Sequence, residues 1–361
     1  MRITDNDNNQ DTAQVTHQVR IAELITVTTA GSPATRIKAD IIGGNPAIIY
    51  YDASGQDLKY VRATNTSGTS WGSPVTVAFT GDVGRNAHLV EANGRPAVCY
   101  NNNSGGLYYL RADDATGANW TETNKVEVYS GSVSDCEMEV ISGNPAICYI
   151  DNAANATKYV RASNADGSSW GTVRTVNSGG TNGGGVPSLA VVNGMPAVAF
   201  FYWNGSAGVK YRRASDVDGA SWGSTVTIAS NASVNDSYDN PSLLVINGNP
   251  AISYESRTGS DIVYKRATDA NGTSWGSQVN VATNDDNTVS SLLWSNSLPF
   301  VAYFENNANQ VRMAWGSDAS GTAFDATDLV DTGDNDIDTI EVGGNPFIVY
   351  FNGGVKVARV F

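Results

Sequence analysis

The sequence predicts an all-β fold, a seven-bladed β-propeller with four antiparallel strands in each blade and a ring closed by the N-terminal strand. First, a proline recurs at spacings of 47 to 54 residues, at Pro46, Pro96, Pro145, Pro196, Pro250, Pro299 and Pro346. Second, each unit around that proline holds short strand patterns in one order. Third, the last unit lacks its fourth strand, whereas an unpartnered strand pattern, residues 19–29, precedes the first unit. Repeats of this period indicate a propeller or a solenoid.

Composition agrees with many short strands. The chain has 361 residues, of which 41% are hydrophobic and 37 are Gly, so it can bury a core and make frequent turns. The formal net charge of −14 disfavours nucleic acid as a partner, because phosphate binding needs clustered Lys and Arg. We expect no membrane insertion, since no run approaches about 20 apolar residues.

The first two strands of each unit, A and B, flank the repeated proline. Strand A is an apolar-rich run that ends in a tight turn, three copies of which contain Asn-Gly, as at Asn93 and Gly94. Strand B carries Ile or Val two positions after the proline and an aromatic residue four positions after it, such as Ile48 and Tyr50. This period of two predicts a strand that is packed on both faces.

The third strand, C, carries a recurrent arginine, at Arg62, Arg111, Arg161, Arg213, Arg266 and Arg359. A periodic Arg suggests either a ring of anion ligands or a structural residue. We favour the structural interpretation, with the stem packed and the head group bonded to a nearby turn.

A turn of the pattern Asn/Asp-x-x-Gly-x-x-aromatic follows strand C in six units and leads into a short fourth strand, D. Asn164, Gly167 and Trp170 form one copy. The Asx side chain can bond backbone N–H groups ahead of it, and Gly takes the left-handed conformation that the turn requires. We interpret this turn, with its buried Trp, as an element that stabilises the fold and takes no part in chemistry.

Closure of the ring follows from the missing seventh strand D. We expect residues 19–29 to complete the last blade, so that no open edge remains. The predicted organisation is therefore a flexible polar arm at residues 1–18 and a propeller at residues 19–361. The arm has no apolar segment of the kind found in signal peptides, and it could tether the propeller to a larger assembly.

The turn after strand C resembles the Asp-box, Ser/Thr-x-Asp-x-Gly-x-x-Trp, of sialidase-like propellers. Ser163, Gly167 and Trp170 match, but the Asx stands three residues before the glycine instead of two. The whole repeat, over residues 37–361, resembles the "GNPAISYYD…LKYVRA" units of propellers of bacteria and their phages. Such a resemblance implies the fold, whereas propellers serve as enzymes, lectins and scaffolds alike.

The sequence shows no catalytic constellation, so we expect no enzymatic activity. A sialidase-like glycosidase needs an arginine cluster, a tyrosine nucleophile with a partner carboxylate, and an acid, but these residue types occur here mostly at repeated positions. Only His17 and His88 could serve Ser/His/Asp catalysis, and neither has a G-x-S-x-G neighbour.

Candidate binding residues lie where the units differ. The start of strand A is polar in every unit, which predicts a ring at one mouth of the channel, made of Lys38, His88, Glu137, Ser188, Ser242, Ser291 and Asp338. The ring is either a hydrated channel entrance or a site for a small polar ligand or ion. The loop at residues 331–338 has alternating acids, so Asp334, Asp336 and Asp338 are candidate ligands for Ca²⁺, although the Gly and the distal Glu of an EF-hand are missing.

Aromatic residues off the repeat register form a second candidate site. Tyr202 and Trp203 fall in the fourth B–C connection, and Tyr238 falls in a long D–A loop. They are either packed loop anchors or a platform for a sugar ring or a protein.

These observations predict non-enzymatic recognition or adhesion, with a glycan or a protein as the partner, on a virion or a bacterial exterior. The alternatives are a structural subunit of a phage tail or surface assembly and, third, a sialidase-like glycosidase.

Overall fold

The computed structural model describes residues 22–29, 36–102, 105–179, 187–203, 207–230, 241–256, 260–283, 287–334 and 336–361. The predicted arm at residues 1–18, His17 and Tyr238 lie outside these ranges. The described residues form seven four-stranded antiparallel sheets and one short 3₁₀-helix, Glu122–Asn124. The predicted fold class, a seven-bladed β-propeller with four strands in each blade, is confirmed. No helix among these residues is long and apolar enough to span a membrane.

Each blade uses its strands in the order predicted, from the channel outward. The innermost strands, A, are β2 (Ile37–Ile42), β6 (His88–Ala92), β10 (Val133–Ile141), β14 (Ser188–Val192), β18 (Ser242–Ile246), β22 (Asn287–Ser295) and β26 (Ile337–Val342). The second strands, B, are β3 (Asn45–Asp52), β7 (Arg95–Asn101), β11 (Asn144–Asp151), β15 (Met195–Trp203), β19 (Asn249–Ser256), β23 (Leu298–Glu305) and β27 (Asn345–Phe351).

The outer half of each blade completes the sheet. The third strands, C, are β4 (Asp57–Arg62), β8 (Leu107–Arg111), β12 (Ala156–Arg161), β16 (Ala207–Arg213), β20 (Asp261–Arg266), β24 (Gln310–Trp315) and β28 (Val355–Val360). The outermost strands, D, are β5 (Val75–Ala78), β9 (Val126–Tyr129), β13 (Arg174–Ser178), β17 (Val226–Ser230), β21 (Val279–Ala282), β25 (Asp328–Thr332) and β1 (Ala22–Thr28).

The N-terminal strand closes the ring, as predicted. β1 pairs antiparallel with β28, with Ala22 opposite Val360 and Thr26 opposite Lys356. The Nζ atom of Lys356 also donates a hydrogen bond of 2.6 Å to the Thr26 hydroxyl. The last blade is therefore built from both ends of the described chain, which removes the edge that an open ring would expose.

The core lies between neighbouring blades. One cluster, for example, joins Val209 and Tyr211 of the fourth blade to Ile252 and Tyr254 of the fifth. Each sheet is packed on both faces because the large and small side chains of strand B alternate, and each face meets another blade.

The structural role predicted for the periodic arginine is confirmed in five blades, whereas Arg359 of the seventh blade pairs with Glu23 of β1 instead. In the fourth blade, Arg213 donates from Nε to the carbonyl of Val192 and from Nη2 to that of Asn193, each at 2.7 Å. The same two bonds to the A–B turn recur in four other blades, from Arg62, Arg111, Arg161 and Arg266. These guanidinium groups thus satisfy backbone carbonyl groups at the ends of strands A.

The Asx-Gly-aromatic turn of the second to sixth blades joins each of these blades to the one before it. Asp114 of the second blade accepts bonds from the N–H groups of Thr116, Ala118 and Asn119, which fixes the turn. The hydroxyl of Tyr60, from the first blade, donates to the carbonyl of Thr116 at 3.0 Å. Equivalent bonds run from Tyr109, Tyr159, Tyr211 and Tyr264 to the next blade. The turn is therefore a clasp between blades, a role that the sequence pattern of one repeat does not reveal.

Candidate functional site

Antiparallel order divides the loops between two faces of the ring. The B–C and D–A connections lie at the starts of strands A, on what we call the upper face, and the A–B and C–D turns lie on the lower face. The periodic arginines that bond the A–B turns, and the clasps, lie on the lower face. Along the channel, the residue types differ most between blades at its upper mouth.

The predicted polar ring brings three charged side chains together. Lys38 of the first blade places its Nζ atom 3.6 Å from Oε1 of Glu137, in the third blade, and 3.6 Å from Oδ1 of Asp338, in the seventh. Burial opposes the charge of Lys38, but the carboxylates of Asp338 and Glu137 raise its pKa above the usual value. The ammonium group therefore reaches across the mouth between two acids.

Each carboxylate of this group also holds the next blade. Oε2 of Glu137 accepts a bond of 2.9 Å from the N–H of Leu189, and Oδ2 of Asp338 accepts one of 2.9 Å from that of Ala39. Their other oxygens face Lys38. One oxygen of each carboxylate thus bonds the next blade, and the other oxygen lines the mouth.

Two serines of the ring make the same inter-blade link. The hydroxyl oxygens of Ser188 and Ser242 accept bonds of 3.0 Å from the N–H groups of Leu243 and Leu292. A hydroxyl that accepts such a bond retains a proton to donate. The fourth and fifth blades therefore offer donors to the channel, whereas the third and seventh offer acceptors.

A second tier of charged residues lies above this ring, and of its members only Asp336 was identified from the sequence, as a candidate Ca²⁺ ligand. Arg36 of the first blade pairs with Asp135 of the third at 2.8 Å, and both side chains are buried. Asp336 stands at the same register in the seventh blade. A signal existed, because these residues precede Lys38, Glu137 and Asp338 by two positions, and alternation along a strand places them on the same side.

Asp336 is only partly compensated, by hydrogen bonds from the backbone N–H groups of Arg36 and Ile37. Its Oδ2 atom is buried and has no hydrogen-bond partner among the described residues. Burial raises the pKa of this carboxyl to about 7, although Arg36 and Lys38 act in the opposite direction. Four carboxyl groups, from two tiers, thus surround two cationic groups at the mouth.

A cavity of about 50 Å³ opens between these residues, lined by Arg36, Lys38, Pro241, Asp336, Asp338 and the serines of the fourth to sixth blades, among others. It has room for roughly three to five water molecules or for a hydroxyl-bearing part of a larger ligand. Lys38, Glu137 and Asp338 keep 13 to 18% of their side-chain surfaces accessible, so solvent reaches the group.

His88 lies in the ring but has a different character. Its Nδ1 atom is buried without a partner among the described residues. Burial, together with the positive charges of Lys38 and Arg36, lowers its pKa well below the usual value. His88 is therefore neutral at pH 7 and poorly suited to act as a general acid there.

Below the ring, two further acids face the channel. Burial and the neighbouring carboxylates of Asp40 and Glu137 raise the pKa of Glu139 to about 8. Burial likewise raises the pKa of Asp40 to about 6. The interior of the channel is thus a place where negative charge is disfavoured.

The described residues include no cluster of three His, Cys, Asp or Glu side chains arranged to hold a metal ion. Asp334, Asp336 and Asp338, the residues considered for Ca²⁺, are all described and form no such cluster. Asp334 is exposed, whereas Asp338 is engaged with Lys38 and Ala39.

The aromatic candidates are described only in part. Tyr202 is half-buried, and the Nζ atom of Lys210 lies 3.4 Å from the centre of its ring. The placement of Tyr202 and Trp203 in the B–C connection was wrong, because both belong to β15, where the backbone of Trp203 lies opposite Ala207. The side chain of Trp203, like all of Tyr238, lies outside what the structure describes. A shared aromatic platform remains a prediction from the sequence.

Tyrosine hydroxyl groups paired with a carboxylate, which sialidase-like chemistry requires, do occur, for example Tyr51 with Asp82 at 2.8 Å and Tyr350 with Asp331 at 2.7 Å. Wherever the pKa of a described tyrosine is shifted, it is raised, and burial is the main cause for Tyr60, Tyr109 and Tyr149, for example. Among the described arginines, Arg36 is the one that lines the cavity at the mouth, and it is paired with Asp135.

Comparison with known proteins supports the fold. The sequence matches no protein-family model and no curated protein. Among solved structures, BBS1N in complex with ARL6DN is similar at a TM-score of 0.60 and 8% identity, over 95% of this chain and 97% of that one. The polysaccharide lyase Uly1 is similar at 0.56 and 10% identity, over 97% and 94%.

A third similar structure is the NanB sialidase from Streptococcus pneumoniae, at a TM-score of 0.51 and 10% identity, over 92% of this chain and 69% of that one. At such identities the likeness establishes a shared propeller fold. The solved propellers it resembles include two that act on carbohydrates and one that was solved with a protein partner.

Proposed function

We propose that this chain is a non-enzymatic recognition module that binds a glycan at the upper mouth of its channel. The observation that supports this most is the position of Lys38 between Glu137 and Asp338. The mouth presents an ammonium donor, serine donors and carboxylate oxygens within one small opening. Sugar hydroxyl groups both donate and accept hydrogen bonds, so a mixed set of this kind suits them.

Recognition is favoured over catalysis because the repeated polar groups are already engaged. Five strand-C arginines bond the A–B turns, five strand-C tyrosines bond the clasps, and His88 is neutral. The variant of the Asp-box belongs to those clasps, so its likeness to sialidase-like propellers concerns the fold. Carbohydrate-acting neighbours such as Uly1 and NanB support the ligand class only through that fold.

A structural subunit with a protein partner is the second candidate. The net charge of −14 and the pairing of BBS1N with another protein favour it. In this account the chain is displayed on a virion or a bacterial surface, and residues 1–18 tether it to its assembly. Deletion of residues 1–18 should then abolish incorporation into the assembly while glycan binding by the free propeller persists.

A glycan array tests the proposal. We expect selective binding to a small group of glycans, together with no release of product from fluorogenic glycosides, including sialosides. Binding to no glycan would refute the glycan ligand, and turnover of a glycoside would refute the non-enzymatic role. The variant Trp203→Ala tests whether the contact is the predicted aromatic platform, in which case glycan binding is lost, or the channel mouth, in which case it persists.

A further inference from the structure

Arg174 breaks the repeat at the junction between the third and fourth blades. It begins β13, opposite Tyr159 of β12. The residue opposite the equivalent tyrosine is valine in four other blades, at Val75, Val126, Val226 and Val279. In three of those blades the valine packs in one cluster with the clasp aromatic of the next blade, as Val226 does with Trp275. At this junction a guanidinium group replaces the apolar side chain.

Two buried donors at this junction have no acceptor. The Nε atom of Arg174 is buried and makes no hydrogen bond to the described residues. The clasp tryptophan of the fourth blade, Trp222, is also unusual. Its Nε1 atom is buried without a partner, whereas Trp71, Trp120, Trp170 and Trp275 each donate to their turn glycine at 2.8 to 2.9 Å. Unsatisfied buried donors carry a desolvation cost, so this junction is less well compensated than the equivalent junctions.

The space beside Arg174 is large enough for a ligand. A cavity of about 400 Å³ is lined by Arg161, Arg174, Asp218, Ser163 and Thr172, with the backbone of Ala162 and Gly171. Sites for small ligands begin at roughly 300 Å³, so a monosaccharide would fit. The cavity lies on the lower face between the blades, away from the channel mouth.

The charge of this cavity points to an anion. Arg161 is neutralised by Asp218 of the next blade, at 2.9 Å, and its other bonds go to the carbonyls of Ile141 and Ser142. Arg174 has no such partner among the described residues. Two guanidinium groups and one carboxylate therefore line the cavity, in a chain whose net charge is −14.

We propose that this junction binds a carboxylate-bearing ligand of monosaccharide size, a uronic acid, with Arg174 as the group that pairs with the carboxylate. The planar guanidinium fits a carboxylate in a bidentate manner, and Ser163 and Thr172 offer hydroxyl groups to the sugar ring. The site is separate from the channel mouth and does not depend on the function proposed for it.

Calorimetric titration with glucuronate tests this site, with glucose as the neutral control. We expect wild-type protein to bind glucuronate and not glucose. Arg174→Val should weaken glucuronate binding by about tenfold or more, because it removes a charge-assisted pair. This variant should fold, since Val occupies the same register in four blades. Lys356→Met removes one positive charge from the seventh blade and should leave the affinity unchanged.

A second measurement locates the ligand. The indole N–H resonance of Trp222, assigned with Trp222→Phe, should shift on addition of glucuronate, and the shift should be absent in Arg174→Val. Equal binding of glucose, no binding of glucuronate, or unchanged affinity in Arg174→Val would overturn the proposal. Acetate that binds as well as glucuronate would also overturn it, because the cavity would then hold an adventitious ion only. A variant of the mouth, Lys38→Met, should bind glucuronate normally, which separates this site from the glycan site at the channel.

Discussion

The hydroxyl of Tyr60 in the first blade donates a hydrogen bond of 3.0 Å to the carbonyl of Thr116 in the second. The ring of Tyr60 also meets that of Trp120 edge to face, with centroids 5.7 Å apart. The clasp turn is therefore a device that joins blades. Because the same bond recurs from four other tyrosines, much of the stability of the ring should depend on it.

Gly117→Ala tests the clasp. Gly117 has a φ of +73°, and a Cβ there would lie 2.5 Å from a ring carbon of Tyr60. Gly94, in the A–B turn of the same blade, has a φ of +72° but open space around it. Both substitutions strain the backbone, by about 1–2 kcal/mol, but only Gly117→Ala adds a clash between blades, of about 1–3 kcal/mol. Equal losses of the free energy of unfolding, measured in urea, would contradict the role given to the clasp.

Arg213 should matter through its geometry as well as its charge. Arg213→Leu removes two bonds to the carbonyls of Val192 and Asn193, and we expect a loss of about 2–3 kcal/mol in the free energy of unfolding. Arg213→Lys keeps the charge but cannot supply both donors in one plane, so it should recover only part of that loss. Full recovery by lysine would show that the fork geometry is unimportant.

Closure by β1 can be tested by truncation. Deletion of residues 1–29 removes the partner of β28 and exposes its edge, so the protein should aggregate or unfold at lower temperature. Deletion of residues 1–18 is the control and should leave the thermal midpoint unchanged, because the closing strand β1 is retained. Similar behaviour of the two truncated proteins, in thermal unfolding and size-exclusion chromatography, would argue against closure as a source of stability.

The channel should make stability depend on pH. The pKa of Glu139 is raised from 4.5 to about 8 by burial and by the negative charges of Asp40 and Glu137. The charged group next to Glu137 is the ammonium of Lys38. Between about pH 5 and pH 8 the unfolded chain has released this proton and the folded chain retains it, so stability falls as pH rises through that window. Asp336 and Asp40, with pKa values of about 7 and about 6, act in the same direction.

Glu139→Gln should remove part of this dependence and raise the free energy of unfolding at pH 8 by about 1 kcal/mol or more. Glu127→Gln, at an exposed residue of strand β9, is the control and should have little effect. Urea unfolding at pH 5.5 and pH 8 checks both variants. A Glu139→Gln protein with the same pH slope as wild type would place the titrating group elsewhere.

The sequence predicted the fold well because the fold is repeated. The repeated pattern specifies strand order, the structural arginine and the closing strand. Where one copy is ambiguous, the other copies show which element stands at that position. The link between Tyr60 and Thr116 could not be predicted in this way, because a contact between blades joins residues 56 positions apart and leaves no mark within one repeat.

The candidate site was predicted only in part for a related reason. Alternation along strands A placed Lys38, Glu137 and Asp338 at one level of the channel, but their convergence depends on side-chain reach across the mouth. Arg36 and Asp135 were missed because they precede the apolar runs. Arg174 was missed because it lies in a short outer strand, where a change of residue type between repeats looks like surface variation. The equivalent residue in four other blades is valine.

The central claim is that recognition occurs at the channel mouth, where the blades differ. The most direct measurement compares wild-type protein with the triple variant Lys38→Met, Glu137→Gln and Asp338→Asn on a glycan array. The amide oxygens of the variant can still accept the N–H groups of Leu189 and Ala39, so the blades should stay joined. The account predicts glycan binding by the wild type and its loss in the folded variant. A variant that binds the same glycans as the wild type, or a wild type that binds none, would contradict it.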